Sequence, residues 1–179
     1  KNDILLISDV YCWDLILEKL NFPIEESIIK LIKFTIKYAR DNNKKFKLAT
    51  RNSKKNFEKE NNFYKKNLSR EEYKFLHKNL LCRGGPHDTY KQMLNSKITV
   101  GTMSTMLREN LSLKGKSLSC NFTKTNIFDF PINGLCSLKD CEYNVFEKRI
   151  REILNISHKN YLLKLSRNIS YVVFKDKKK

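Results

Sequence analysis

Apolar positions along the chain switch between two spacings. Ile4-Leu5-Leu6-Ile7 is a continuous apolar run of strand length, and over residues 25–40 the apolar positions fall at 28, 29, 32, 36 and 39, the spacing of an amphipathic helix. Phe46-Lys47-Leu48-Ala49-Thr50 returns to an extended pattern. Two polar stretches of helical character follow, over 56–66 and from Ser69 to about residue 79, the second opened by a capping box of Ser69 and Glu72. Their low apolar content predicts that both lie on the surface. Residues 80–83 read as a third strand, Asp88 as the cap of a helix through Met93, and 97–101 and 117–120 as two further strands. The carboxyl third differs: 142–155 and 157–173 read as consecutive helices, with Phe146, Ile150, Ile153 and Leu154 on one face.

Strands alternating with helices, with no hairpin signal between them, predict an α/β fold. The expected architecture is a Rossmann-like doubly wound parallel sheet of about five strands with two carboxyl-terminal helices. A length of 179 residues with 40% apolar content sustains one core, expected over 1–174, leaving Lys175-Asp176-Lys177-Lys178-Lys179 as a disordered basic tail. There is no apolar run of roughly eighteen residues and no basic-then-apolar leader, so neither a membrane span nor a signal peptide is expected. The expected location is the cytoplasm, with peripheral contact to the inner face of the cytoplasmic membrane open to a basic surface. The chain starts at Lys1 rather than Met, and is expected to be one domain of a longer protein.

A net charge of +17 invites a nucleic-acid reading, because clustered cations neutralise phosphates and release counterions. Most of the 36 basic residues are Lys, however, and they are scattered among Asn, Ile and Phe rather than gathered in one arm. Nucleic acid is therefore not the expected partner; attraction to an anionic glycan or acidic lipid headgroups fits this distribution at least as well. The five cysteines, Cys12, Cys82, Cys120, Cys136 and Cys141, form no Cys-x-x-Cys pair, and His77, His87 and His158 do not sit near them at zinc-ligand spacing. No metal or cofactor is expected, and Cys82 and Cys120 at strand ends are read as buried thiols.

The chemistry concentrates where strands meet helices. Ile98-Thr99-Val100-Gly101 leads into Thr102-Met103-Ser104-Thr105, a hydroxyl-rich turn at the carboxyl end of a parallel strand, followed by a helix. The first N–H groups of that helix are unpaired and its dipole is positive there, so Gly101, Thr102, Ser104 and Thr105 are expected to bind an anion such as phosphate. Glu109, about one turn on, is placed to accept hydrogen bonds from a ribose diol. The loops at 8–13, 50–53 and 83–88 should meet the same edge of the sheet. There Arg51 and Arg83 offer forked contacts to phosphate oxygens, Gly84-Gly85-Pro86 lets backbone approach a flat ring, and His87 offers a contact or a proton. Asp9 is read chiefly as a helix cap, and Lys114-Gly115-Lys116 as a helix carboxyl cap with favourable cations.

With these residues laid out, the chain resembles the carboxyl-terminal, donor-binding half of a GT-B glycosyltransferase of bacterial surface-polysaccharide biosynthesis. The resemblance rests on Val100-Gly101-Thr102-x-Ser104-Thr105-x-x-x-Glu109 with Gly115-Lys116 before the next strand. It rests also on Tyr143-Asn144-x-Phe146-Glu147-x-Arg149-Ile150-x-x-Ile153-Leu154-Asn155-Ile156-Ser157-x-x-x-Tyr161. It spans most of residues 80–171, and its turn is shared with polyol-phosphate transferases and transferases of CMP-linked acidic sugars. The resemblance implies that Ser104 and Thr105 hold the donor phosphate, Glu109 holds the ribose, and the loop from Arg83 to Asp88 flanks the base. One departure is plain: many relatives carry Arg-x-His-Pro after the second strand, and here Thr50-Arg51-Asn52-Ser53 keeps the Arg without the His.

The function implied is sugar transfer in polysaccharide biosynthesis without a bound metal, with positive groups stabilising the departing nucleotide phosphate. The partners implied are a nucleotide-activated sugar donor, a carbohydrate acceptor, and an amino-terminal domain that supplies the catalytic base. The competing reading is a basic interaction module without catalysis, binding a polyanion, a membrane surface or a partner protein.

Overall fold

The computed structural model describes residues 1–10, 23–85 and 87–165. Each predicted strand pairs with its neighbours in one sheet. The chain runs β1 (Asn2–Ile7), α1 (Ile24–Asp41), β2 (Phe46–Ser53), α2 (Glu58–Asn67), α3 (Arg70–His77), β3 (Leu80–Arg83) and α4 (Asp88–Leu94). It continues through β4 (Ser96–Gly101), α5 (Thr105–Ser112), β5 (Ser117–Cys120), β6 (Ser137–Leu138), α6 (Tyr143–Asn155) and α7 (His158–Leu163). The strands form one six-stranded sheet in the order β3-β2-β1-β4-β5-β6, and every pairing is parallel. This is the Rossmann-like doubly wound arrangement. Its strand order reverses between β1 and β4, which opens a crevice at their carboxyl ends.

Alternation along β1 assigns the two layers. Ile4 and Leu6 belong to the larger core, shared with α1, α3 and α6, whereas Leu5 and Ile7 join a smaller one with Ala49 and Met93 of α4. The amphipathic reading of α1 holds: Ile28, Ile32, Ile36 and Ala39 are buried and Ile29 packs at the margin. Phe146, Ile150 and Ile153 of α6 are fully buried and Leu154 lies against them. The start of β5, beyond the reach of β6, is satisfied by Tyr161 of α7, whose hydroxyl donates to the Ser117 carbonyl at 2.6 Å and accepts from its N–H at 3.0 Å.

Five expectations change. The sixth strand, only two residues long, carries no periodic signal and went unpredicted. The surface assignment of α2 and α3 fails in part: the capping box at Ser69 forms, but α2 buries Glu60, Phe63 and Tyr64, and α3 buries Leu76. The α5 carboxyl cap forms with its positive φ on Lys114 (61°) rather than Gly115. Lys114 N–H bonds the Leu111 carbonyl and Gly115 N–H the Asn110 carbonyl, while a Cβ on Gly115 would sit 2.2 Å from Asn110 Oδ1, so glycine is required by close approach. Lys116 serves a different helix, donating to the Ile153 and Ile156 carbonyls at the end of α6. The last helix, expected to run over 157–173, stops at Leu163 with Lys164 as its carboxyl cap, and Leu165 instead bridges Gly134. Residues 11–13 of the first loop, Pro86 and all residues beyond 165, the basic tail among them, lie outside the described residues.

Candidate functional site

At the carboxyl edge, around the reversal point, lies a cavity of ≈ 250 Å³ whose walls include Ser8, Thr50, Arg51, Arg83, Tyr90 and Ser104. It brings together residues from the ends of β1, β2 and β3 and the starts of α4 and α5. Arg51 and Arg83 are both exposed at its mouth. Their proximity follows from pairing: β2 meets β3 with Ser53 opposite Arg83, and the register shifts between Ala49 and Ser53.

The turn after β4 spends much of its polarity internally. Thr102 donates its N–H and its hydroxyl to Asp9 Oδ2 at 3.1 and 2.6 Å, and Ser119 donates to the Thr102 carbonyl. Asp9 therefore ties β1 to β4, and the helix it was expected to cap lies outside the described residues. Burial raises its pKa, opposed by the bonds from Thr102 and Met103 and by the Arg51 charge. Ser104 is the N-cap of α5, its oxygen accepting from Met106 N–H at 3.4 Å. Gly101 and Thr102 are buried beneath the turn, and Thr105 is exposed at the first position of α5.

Of the predicted site residues, Arg51, Arg83 and Ser104 line the cavity. Gly101, Thr102, Thr105, His87 and Glu109 sit around it without forming its wall. Glu109 accepts a 2.6 Å hydrogen bond from Tyr90, a bond that raises the Tyr90 pKa. His87 precedes α4, exposed, with its ring 6.4 Å from that of Tyr90. Asp88 does not cap α4: its Oδ2 accepts from Gly84 and Gly85 N–H at 2.9 and 2.7 Å and so shapes the glycine bend.

Sequence reasoning missed what lies under the β2 loop. Glu60 is fully buried and accepts from Tyr64 OH at 2.6 Å, Asn52 N–H at 3.2 Å and Asn52 Nδ2 at 3.1 Å. Tyr64 also meets Ser8 Oγ at 2.8 Å, completing a buried chain from the cavity wall to the end of β2, which carries Arg51. Three donors satisfy a carboxylate that burial alone would disfavour. The available signal was the i, i+4 spacing of Glu60 and Tyr64, which sets both on one face of α2.

Cys120 and Cys136 are buried free thiols, and burial pushes the Cys136 thiol up to about 12, far from nucleophilic use. Cys82 is half-buried. Among the described residues no cluster of three or more His, Cys, Asp or Glu is arranged to hold a metal ion. No described helix is long and apolar enough to cross a membrane.

A protein-family model described as "putative O-antigen biosynthesis protein" matches residues 21–129. The chain belongs to this family. The match runs from just before α1 to the loop after β5 and includes Arg51, Arg83 and Ser104. By its description the family attaches the chain to polysaccharide biosynthesis. Comparisons with curated proteins and with solved structures give no match.

Proposed function

We propose that the chain is the donor-binding part of a glycosyltransferase of polysaccharide biosynthesis, its cavity taking the phosphate end of a nucleotide-activated sugar. The observation that carries this reading is the convergence of Arg51, Arg83 and the amino end of α5 on one cavity where the strand order reverses. A volume of ≈ 250 Å³ falls just under the roughly 300–1,000 Å³ of small-molecule pockets, which fits part of a nucleotide sugar with the remainder outside.

As the bond between sugar and phosphate breaks, negative charge grows on the departing phosphate. Two guanidinium groups and the first-turn N–H groups of α5 meet that charge with dipoles already in place, and loss of one such donor costs roughly 10²–10³ in rate in other enzymes. Thr102 and Gly101 act by holding the turn against Asp9. Thr105 adds a hydroxyl beside the helix end. Tyr90, held by Glu109, flanks the ribose, and His87 beside Tyr90 lies toward the base. In the GT-B arrangement that the chain resembles, a second domain would supply the base that activates the acceptor hydroxyl; Asp9 at this site is engaged by Thr102.

Thermal shift and calorimetry with UDP, GDP, CMP and their sugar conjugates at low salt test the reading. One of them should stabilise the chain, and Arg51→Ala and Arg83→Ala should each remove most of the shift. Failure of every nucleotide to stabilise it contradicts the proposal. Steeply salt-dependent polyanion binding that ignores Arg51→Ala would favour the basic interaction module instead.

A further inference from the structure

The hydroxyls on the cavity wall differ in where their protons go. Tyr64 donates its one proton to Glu60 Oε1 at 2.6 Å, so the 2.8 Å contact between Ser8 and Tyr64 is made with the Ser8 proton. Burial and the Glu60 carboxylate push the Tyr64 hydroxyl well above its ordinary range, which keeps that proton on the ring oxygen. Thr50 likewise donates to backbone, to the Asn52 carbonyl at 2.8 Å and the Leu81 carbonyl at 3.3 Å. With those protons committed, the hydroxyl oxygens of Ser8 and Thr50 are left with acceptor capacity only for a ligand in the cavity that both residues line. Ser104 is the reverse case: its oxygen accepts from Met106 N–H and its proton remains to give. Arg51 and Arg83 are donors only.

We propose that Ser8 and Thr50 form a hydrogen-bond acceptor wall, fixed by buried Glu60 and Tyr64, which selects a ligand carrying a hydroxyl beside its phosphate. The inference rests on reading the cavity as a phosphate site. A bare phosphate meets the arginines, but its charged oxygens gain nothing from acceptor-only Ser8 and Thr50, and only a P–OH that has kept its proton could bond there. A sugar phosphate turns a hydroxyl to that wall while its phosphate meets Arg51 and Arg83. Glu60 is a positioning residue for both sides: through Tyr64 it commits the Ser8 proton, and through Asn52 it fixes the residue next to Arg51. The hydroxyl belongs either to the ribose of a nucleotide or to the transferred sugar.

NMR titrations of the whole chain at low ionic strength separate these cases. The probes are inorganic phosphate, ribose phosphate against its deoxyribose counterpart, and glucose phosphate against its deoxyglucose counterpart. In at least one pair the hydroxylated member should bind about two- to tenfold tighter, the size of one neutral hydrogen bond. That preference should vanish in Ser8→Ala and in Tyr64→Phe, where the Ser8 proton is released to point into the cavity. Uniform weakening of every probe would mark a merely structural role, whereas loss of the preference marks the acceptor wall. Ser8→Ala alone decides the matter where Tyr64→Phe lowers the folded yield. Equal binding within both pairs, or a preference that persists in either folded variant, overturns the proposal while phosphate binding stands. Absence of binding by every probe overturns the phosphate reading and this one together.

Discussion

The two strand-to-helix junctions beside the cavity, residues 101–105 between β4 and α5 and residues 54–57 between β2 and α2, are built on opposite plans. The first is tight and its polar groups bond one another: Thr102 to Asp9, Ser119 to the Thr102 carbonyl, Ser104 to the helix it caps. The second follows the exposed Arg51 and carries exposed Lys54 and Lys55, and is held from beneath through Asn52 by Glu60. Each rests on one buried carboxylate. A self-satisfied turn supplies a rigid helix end, whereas a junction anchored from below leaves its cations exposed. The turn that stands out most in the sequence thus supplies position, and the less conspicuous junction supplies charge.

The largest effect should come from removing the deeper anchor. Glu60→Ala leaves Tyr64 OH, Asn52 N–H and Asn52 Nδ2 without their acceptor and should cost about 3 kcal/mol in urea unfolding. Asp9→Ala removes the acceptor of the Thr102 N–H and hydroxyl and of the Met103 N–H, but also a carboxyl whose burial is itself unfavourable, and should cost about 2 kcal/mol in the same measurement. A reversed order would mean that the β4 turn, rather than the α2 anchor, holds the site together. Ser104→Ala should cost only about 0.5 kcal/mol, at the low end for an N-cap, because its bond is 3.4 Å long.

The finest distinction is in pH. Burial raises Asp9 above its ordinary 3.8, so the folded chain holds this proton more tightly than the unfolded chain does. Its contribution is fully present below that ordinary value and is lost as pH rises through the raised folded value. Acidification from neutral pH should therefore shift the stability difference between wild type and Asp9→Asn in favour of the wild type. The opposite shift would show that Thr102 and Arg51 outweigh burial and hold the carboxylate ionised.

Periodicity made the sheet legible because its central strands are buried on both faces, and continuous runs such as Ile4-Leu5-Leu6-Ile7 have few other uses. β6 escaped because two residues cannot show a period, and its place at the edge is set by contacts with β5 rather than by its own sequence. The convergence of Arg51, Arg83 and Ser104 was legible from topology, since parallel strands bring their carboxyl ends to one side. The Glu60–Tyr64–Ser8 chain was not, because a polar helix with Glu and Lys around Tyr64 scores as a solvated surface unless a specific set of donors surrounds the carboxylate. Two of those donors come from Asn52 and the third from Tyr64, itself met by Ser8, and only the folded chain brings residues 8 and 52 near. The capping of α4 misled for a related reason: Asp88 has the right residue type and position, yet the two glycine N–H groups before it win the carboxylate.

The central claim is that the cavity at the strand-order reversal binds phosphate through the junctions on its two sides. An amide NMR titration with pyrophosphate at low ionic strength tests it most directly. Saturable shifts confined to residues 50–53, 83–85 and 104–107, lost in Arg51→Ala, are the predicted result. Absence of saturable shifts there, or shifts spread over the Lys-bearing surfaces of α1, α2 and α6, would contradict it.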